Sequence, residues 1–134
     1  MSSIISLDVG KTRIGVAKAN TIARLPSPYT TLINGPDIVS QIQGILDKES
    51  VGLIVVGLPR SLSGNETEQT AYTRDFAKQL ENIAPIVFQD EALTSAKAEK
   101  ELSNRGKPFK KGDIDALAAT YILEDYLLEK GSNT

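Results

Sequence analysis

Asp8, the adjacent pair Asp90 and Glu91, and Asp115 are the residues through which this sequence can do chemistry. The chain has no cysteine and no histidine. Thiol nucleophiles, disulfides, Cys-based zinc sites, imidazole bases and Ser-His-Asp triads are therefore excluded. Catalysis must rest on carboxylates, lysines, hydroxyls or a hard cation held by oxygen. Clusters of carboxylates bind such cations, and Mg²⁺ in particular takes a few carboxylates together with substrate phosphates. Two such ions roughly 3.5–4 Å apart clamp the attacking and leaving oxygens of an in-line phosphoryl displacement. Taken singly, each acid has a plainer reading. Asp8 can initiate a turn before Gly10, Asp90 and Glu91 can be the polar end of a strand, and Asp115 can complement a helix dipole. Their joint placement decides, and that depends on the elements that carry them.

Residues 3–9 (SIISLDV) are rich in β-branched side chains and end at a glycine, which predicts a strand. A tight turn at Gly10-Lys11-Thr12 lets residues 13–19 return antiparallel. Pro26 and Pro28 break the chain before a short strand at 29–33. Ile38, Ile42, Ile45 and Leu46 recur at helical spacing within 37–49. The apolar run VGLIVVG (51–57) predicts a strand buried on both faces. A loop (58–65) leads to a helix at 67–81 with Tyr72, Phe76 and Leu80 on one stripe, then to a buried strand at 86–89. Thr94 or Ser95 can cap a helix to about Asn104. A basic loop (105–112) precedes a last helix, capped by Asp113 and running to about Glu129, with a frayed tail after Lys130. The order β-β-β-α-β-α-β-α-α implies an α/β fold with a mixed sheet, helices on both faces, and the first strand central beside the fourth.

Ligands of such a sheet bind beyond the carboxyl ends of its parallel strands, and the acids fall there. Asp8 shares a face with Ile4 and Ser6, while Ile5, Leu7 and Val9 take the other. A carboxylate in the middle of a buried sheet is costly unless paired or metal-bound. Alternation aims Asp90 and Glu91 at opposite faces, so one of them enters the site, and the longer reach of Glu91 favours it. Asp115 is expected in the first turn of the last helix, at the edge of an apolar arc of Ile114, Leu117, Ala118, Tyr121, Ile122 and Leu128. The small residues Ala118 and Ala119 would let that helix approach the sheet closely.

With 134 residues, 40% apolar and 24% charged, the chain fits a single domain spanning 1–134. Its net charge of −2 and pI of about 5.2 do not advertise nucleic-acid binding. The charge is unevenly spread, however. Residues 97–111 carry six bases against two acids, 10–24 carry four bases and no acid, and 113–129 carry five acids and no base. Such patches can steer phosphates. Lys11, Arg13, Arg60, Lys107, Lys110 and Lys111 are the candidate contacts to a nucleic-acid backbone. The N-terminus lacks the basic flank and apolar length of a signal peptide, and no run suffices to span a bilayer, so a cytoplasmic location away from membranes is expected.

The segments LDVGKTRIGVA (7–17), VGLPRSLSG (56–64), DEALTS (90–95) and KKGDIDALAATYIL (110–123) together resemble the YqgF/RuvX-type family of pre-16S rRNA nucleases and Holliday-junction resolvases. The resemblance covers nearly the whole chain, with the motifs in the family's order and approximate spacing. It implies a ribonuclease H-like fold with a five-stranded mixed sheet in order 3-2-1-4-5, strand 2 antiparallel. It implies that Asp8 is the strand-one acid, that the second acid lies in Asp90-Glu91, and that Asp115 is the last. It further implies processing of the 5′ end of the 16S rRNA precursor, with more distant kinship to RuvC-type resolvases. One departure is Ala92, where the family commonly has arginine. Arg60 or Lys97 could stand in for it.

Three functions follow as expectations. The first is a nuclease hydrolysing phosphodiester bonds with Mg²⁺ or Mn²⁺, two ions in all, Asp8 bridging both and Asp115 and one of Asp90/Glu91 holding one each. Its substrate is precursor rRNA or, alternatively, a four-way DNA junction, and it works as a monomer or weak homodimer. The second is an actin-like ATPase, whose first phosphate-binding hairpin residues 7–17 also resemble. Those proteins enclose a nucleotide between two domains, which 134 residues do not provide. The third is a non-catalytic RNA- or ribosome-binding module, which would bind precursor rRNA without Asp8 or metal.

Overall fold

The computed structural model describes residues 2–91 and 94–131. Its elements follow the order read from the patterning: β1 (Ser3–Val9), β2 (Arg13–Asn20), β3 (Ser27–Ile33), α1 (Ile38–Glu49), β4 (Val51–Pro59), α2 (Glu68–Lys78), β5 (Ile86–Glu91), α3 (Thr94–Asn104) and α4 (Lys111–Gly131). The five strands form one sheet in the order β3-β2-β1-β4-β5. β2 runs antiparallel to both β1 and β3, whereas β4 runs parallel to β1 and β5. Thus β1 is central, and the carboxyl ends of β1, β4 and β5 open at one edge.

Strand alternation sorts the core into two layers. Ile5, Leu7 and Val9 join Ile14, Val16, Ile54 and Val56 against Ile38, Ile42, Ile45 and Leu46 of α1 and Phe76 and Ala77 of α2. On the opposite face Ile4, Ala17, Ala19 and Val55 pack against Ala119, Ile122, Leu123 and Leu127 of α4. Small residues on both sides of this second layer bring the helix close. Ser6 Oγ donates a 2.5 Å hydrogen bond to the Ala119 carbonyl, which removes the cost of burying a hydroxyl there. Among the described residues α3 packs on α4, where Ala98 and Leu102 cover its outer side at Leu117, Ala118 and Tyr121.

Several boundaries differ from the expectation, each for a local reason. β3 starts at Ser27 and includes Pro28, opposite Ala17 beside a register shift between Val16 and Ala17. An edge strand tolerates a proline that a central strand would not. Thr67 is the N-cap of α2 rather than its first residue, closing a capping box with Thr70. α4 begins at Lys111, before Asp113. Asp113 does not cap from outside; its carboxylate reaches back to accept the Lys110 N–H at 2.9 Å. Asp115 therefore lies one turn further in than expected. Sandwiched between sheet and α3, α4 buries more than one arc. Leu123 and Leu127 are in the core, whereas Leu128 is 68% exposed. The Ala92 position, the capping side chains of Thr94 and Ser95, and the tail beyond residue 131 lie outside the described residues.

Candidate active site

The site is built on Asp8, one residue before the end of β1 and on the α4 face of the sheet. Its partner across β2 is Gly15. On the other side Leu7 pairs with Val56, so the next position on β4 is Gly57. Glycines thus flank the acid on both neighbouring strands, and each marks a close approach. A Cβ on Gly15 would collide with the Asp115 carbonyl oxygen, because the backbone of α4 rests on that glycine. A Cβ on Gly57 would collide with Ile122 Cδ1 and come within 3.2 Å of the Glu91 carboxyl carbon. The two missing side chains are the space in which Asp115 and Glu91 approach Asp8.

The electrostatics report the same convergence. Burial first, then the charges of Glu91 and Asp115, raise the Asp8 carboxyl from 3.8 to about 8. Asp115 is relieved by Arg13, whose Nε donates to its Oδ2 at 2.6 Å. The side chains of Arg13 and Asp115 are 33% and 18% exposed, so this pair is partly shielded from solvent.

Alternation separates the Asp90-Glu91 dipeptide as expected. Glu91 turns toward Gly57 and Asp8. Asp90 is 68% exposed and accepts from Arg60 Nε at 3.0 Å, with no part in the trio. Arg60 is further held by Glu66 at 3.7 Å, so two acids neutralise it. Lys11 lies over the ring of Tyr72 at 5.8 Å, and Lys97 lies over Tyr121 at 4.3 Å. Lys107, Lys110 and Lys111 are exposed where α4 begins. Lys107 also borders a cavity of about 260 Å³ lined by Pro28, Phe109 and Leu117 among others. Gly15 and Gly57 lie within the motif segments, but their place on either side of Asp8, where α4 and Glu91 come close, was not read from the sequence. A glycine inside each strand beside a strand-end acid was the available signal.

The trio fits a divalent cation by its chemistry. Its donors are all hard oxygens, burial together with the charges of Glu91 and Asp115 raises the Asp8 carboxyl to about 8, and the two glycines let α4 and Glu91 come close to the strand that carries Asp8. Among the described residues, however, no three acids are already drawn together closely enough to hold an ion between them. Arg13 supplies the positive charge at Asp115 instead.

A mixed sheet in this order, with α4 laid across its central strands and acids at the strand ends, is a ribonuclease H-like architecture. Solved structures agree at the level of fold. RuvC of T. thermophilus in complex with a Holliday junction substrate superposes with a TM-score of 0.59 at 15% identity, covering 100% of this chain and 98% of that one. The Fowlpox virus resolvase, solved with Holliday junction DNA, gives 0.54 at 9% identity, covering 96% and 98%. Sequence narrows the class to a family. Residues 2–129 match the model of RuvX, described as Holliday junction resolvase, and the chain belongs to that family. Relatives from Sulfurihydrogenibium sp. (39% identical, 95% of this chain and 90% of theirs) and Chloroflexus aurantiacus (40%, 97% and 89%) each carry the name "Putative pre-16S rRNA nuclease".

Proposed function

We propose that this protein is a metal-dependent nuclease that hydrolyses phosphodiester bonds at the 5′ end of the 16S rRNA precursor. The observation that carries the reading is a buried Asp8 that feels the charges of both Glu91 and Asp115, flanked by Gly15 and Gly57 at the carboxyl ends of the parallel strands. The names borne by relatives of nearly the same length support the RNA substrate. Asp8, Glu91 and Asp115 would hold Mg²⁺ or Mn²⁺, two ions in all. When bound, the cations would activate water and stabilise the leaving oxygen of an in-line displacement. The chain's own part is to hold three carboxylates on rigid elements, sheet on one side and α4 on the other. Lys110 and Lys111 attract the phosphate backbone to the start of α4, where their charge is free of acidic partners among the described residues. The protein works in the cytoplasm as a monomer or weak homodimer; no described helix is long and apolar enough to cross a membrane.

A four-way DNA junction is the second substrate to consider, on the strength of the family's description and the resolvases that share the fold. One assay separates the readings: incubate precursor rRNA and a four-way junction with the protein, with and without Mg²⁺ or Mn²⁺, beside Asp8→Asn. The proposal expects metal-dependent cleavage of the precursor, lost in Asp8→Asn. Cleavage of the junction alone would assign the resolvase. Binding of precursor without cleavage in any metal would leave a non-catalytic RNA-binding module.

A further inference from the structure

We propose that Arg13 is a positioning residue that ties cation binding at the acid trio to substrate binding: its guanidinium holds Asp115 until a backbone phosphate draws it away. The inference rests on the metal-dependent nuclease reading above. Arg13 and Gly15 stand two positions apart on the same face of β2, the face that α4 covers. Gly15 brings the α4 backbone down at Asp115, and Arg13 then meets the Asp115 carboxylate at 2.6 Å across 102 residues of chain. This is a long-range pair set by the fold, unlike the i,i+4 pair of Arg105 and Glu101 on α3. Asp115 is the one acid at ion-pair distance from Arg13 among the described residues. A single exchange of partner therefore frees both groups.

The alternative partner is the substrate itself. A guanidinium forks onto a phosphodiester as it does onto a carboxylate, with the same donors and geometry. A strand arriving at the carboxyl ends of the sheet offers that fork a phosphate. Its departure strips Asp115, beside Asp8 and Glu91, of the guanidinium charge paired with it, and that loss of positive charge favours a dication. Without the strand, a cation at Asp115 must displace Arg13 or sit against it, and like charges oppose that. Coupling of this kind is reciprocal: whatever the strand adds to cation affinity, the cation adds to strand affinity. Other cations near the strand ends are committed elsewhere, Arg60 to Asp90 and Glu66 and Lys11 to the Tyr72 ring.

The test is Mn²⁺ binding followed by electron paramagnetic resonance, with and without a short phosphorothioate RNA strand, on the wild type, Arg13→Gln, Arg13→Lys and Asp8→Asn. Arg13→Gln is expected to bind Mn²⁺ about tenfold more tightly than wild type without RNA, equivalent to about 1.4 kcal/mol. It should gain little more when RNA is added, whereas the wild type gains markedly. Arg13→Lys, which keeps the charge and loses the fork, should fall between them. A purely structural role predicts the opposite, weaker Mn²⁺ binding as the hairpin and α4 come apart. Unchanged or weaker binding in Arg13→Gln, or an undiminished gain from RNA, overturns the proposal. So does a wild type that gains nothing from RNA, whatever the folding of the variants. If neither wild type nor Arg13→Gln binds Mn²⁺ in either condition, the metal-site reading fails and takes this inference with it. Mn²⁺ binding that vanishes in Asp8→Asn but ignores Arg13 leaves that reading standing alone.

Discussion

At the scale of single residues, a carboxyl group held protonated to about pH 8 is the clearest physical signature in the molecule. Between its ordinary value of 3.8 and about 8, the folded protein keeps the Asp8 proton and the unfolded chain releases it. The folded state binds more protons in that window, so the group's contribution to stability falls as pH rises through it. In the presence of a chelator, thermal melts of the wild type should shift downward from about pH 4 to pH 8, and those of Asp8→Asn should lack this component. Asp8→Asn is thus expected to be the more stable protein at pH 8 without metal, yet to lose more than about 100-fold in cleavage. Parallel melting curves for the two would contradict the account. The neighbouring acids divide in the same spirit. Glu91→Gln should abolish most cleavage, while Asp90→Asn should change kcat/KM by no more than about threefold, since it removes an exposed ion pair with Arg60. Alternation along β5 made this division legible in sequence, but which member faced α4 depended on the register of β5 beside Gly57, a tertiary fact.

The elements set the tolerances within which those residues act. α4 lies against β2 at Gly15 with no room for a methyl group, and the obstacle is backbone. Gly15→Ala must lift or slide the helix, at a cost of roughly 2–4 kcal/mol by chemical denaturation. At Gly57 the obstacle is the end of the Ile122 side chain, which can rotate, and the Glu91 carboxyl carbon. Gly57→Ala should therefore cost less stability, roughly 1–2 kcal/mol, while displacing Glu91 and lowering kcat. Equal losses of stability in the two variants would argue against this packing. Strand and helix periods disclosed every element of the described chain, because hydrophobic alternation and helical spacing are local. The placement of Gly15 and Gly57 on either side of Asp8 was not disclosed, because it arises where three strands and a helix align. The start of α4 was misplaced for a related reason. An aspartate that reaches back to a preceding N–H from inside the first turn looks, in sequence, like one that caps from outside.

For the whole molecule, an acidic chain has to attract a polyanion, and the basic residues near the start of α4 are the means. Lys110→Ala combined with Lys111→Ala should weaken RNA binding across sequences and flatten its dependence on salt by about 0.7 per lost phosphate contact on a single strand, measured by titration over a range of salt concentrations. An unchanged slope would place the backbone contacts elsewhere. Local charge runs were visible in the sequence, whereas the pairing that neutralises Arg60 and occupies Arg13 was not, since it joins residues far apart in the chain. The most direct test of the central claim is a crystal soaked in Mn²⁺ and measured for anomalous scattering. The account predicts a peak between the carboxylates of Asp8, Glu91 and Asp115, with Asp90 outside its reach. A peak at Asp90, or none within reach of Asp8 at saturating Mn²⁺, would contradict it.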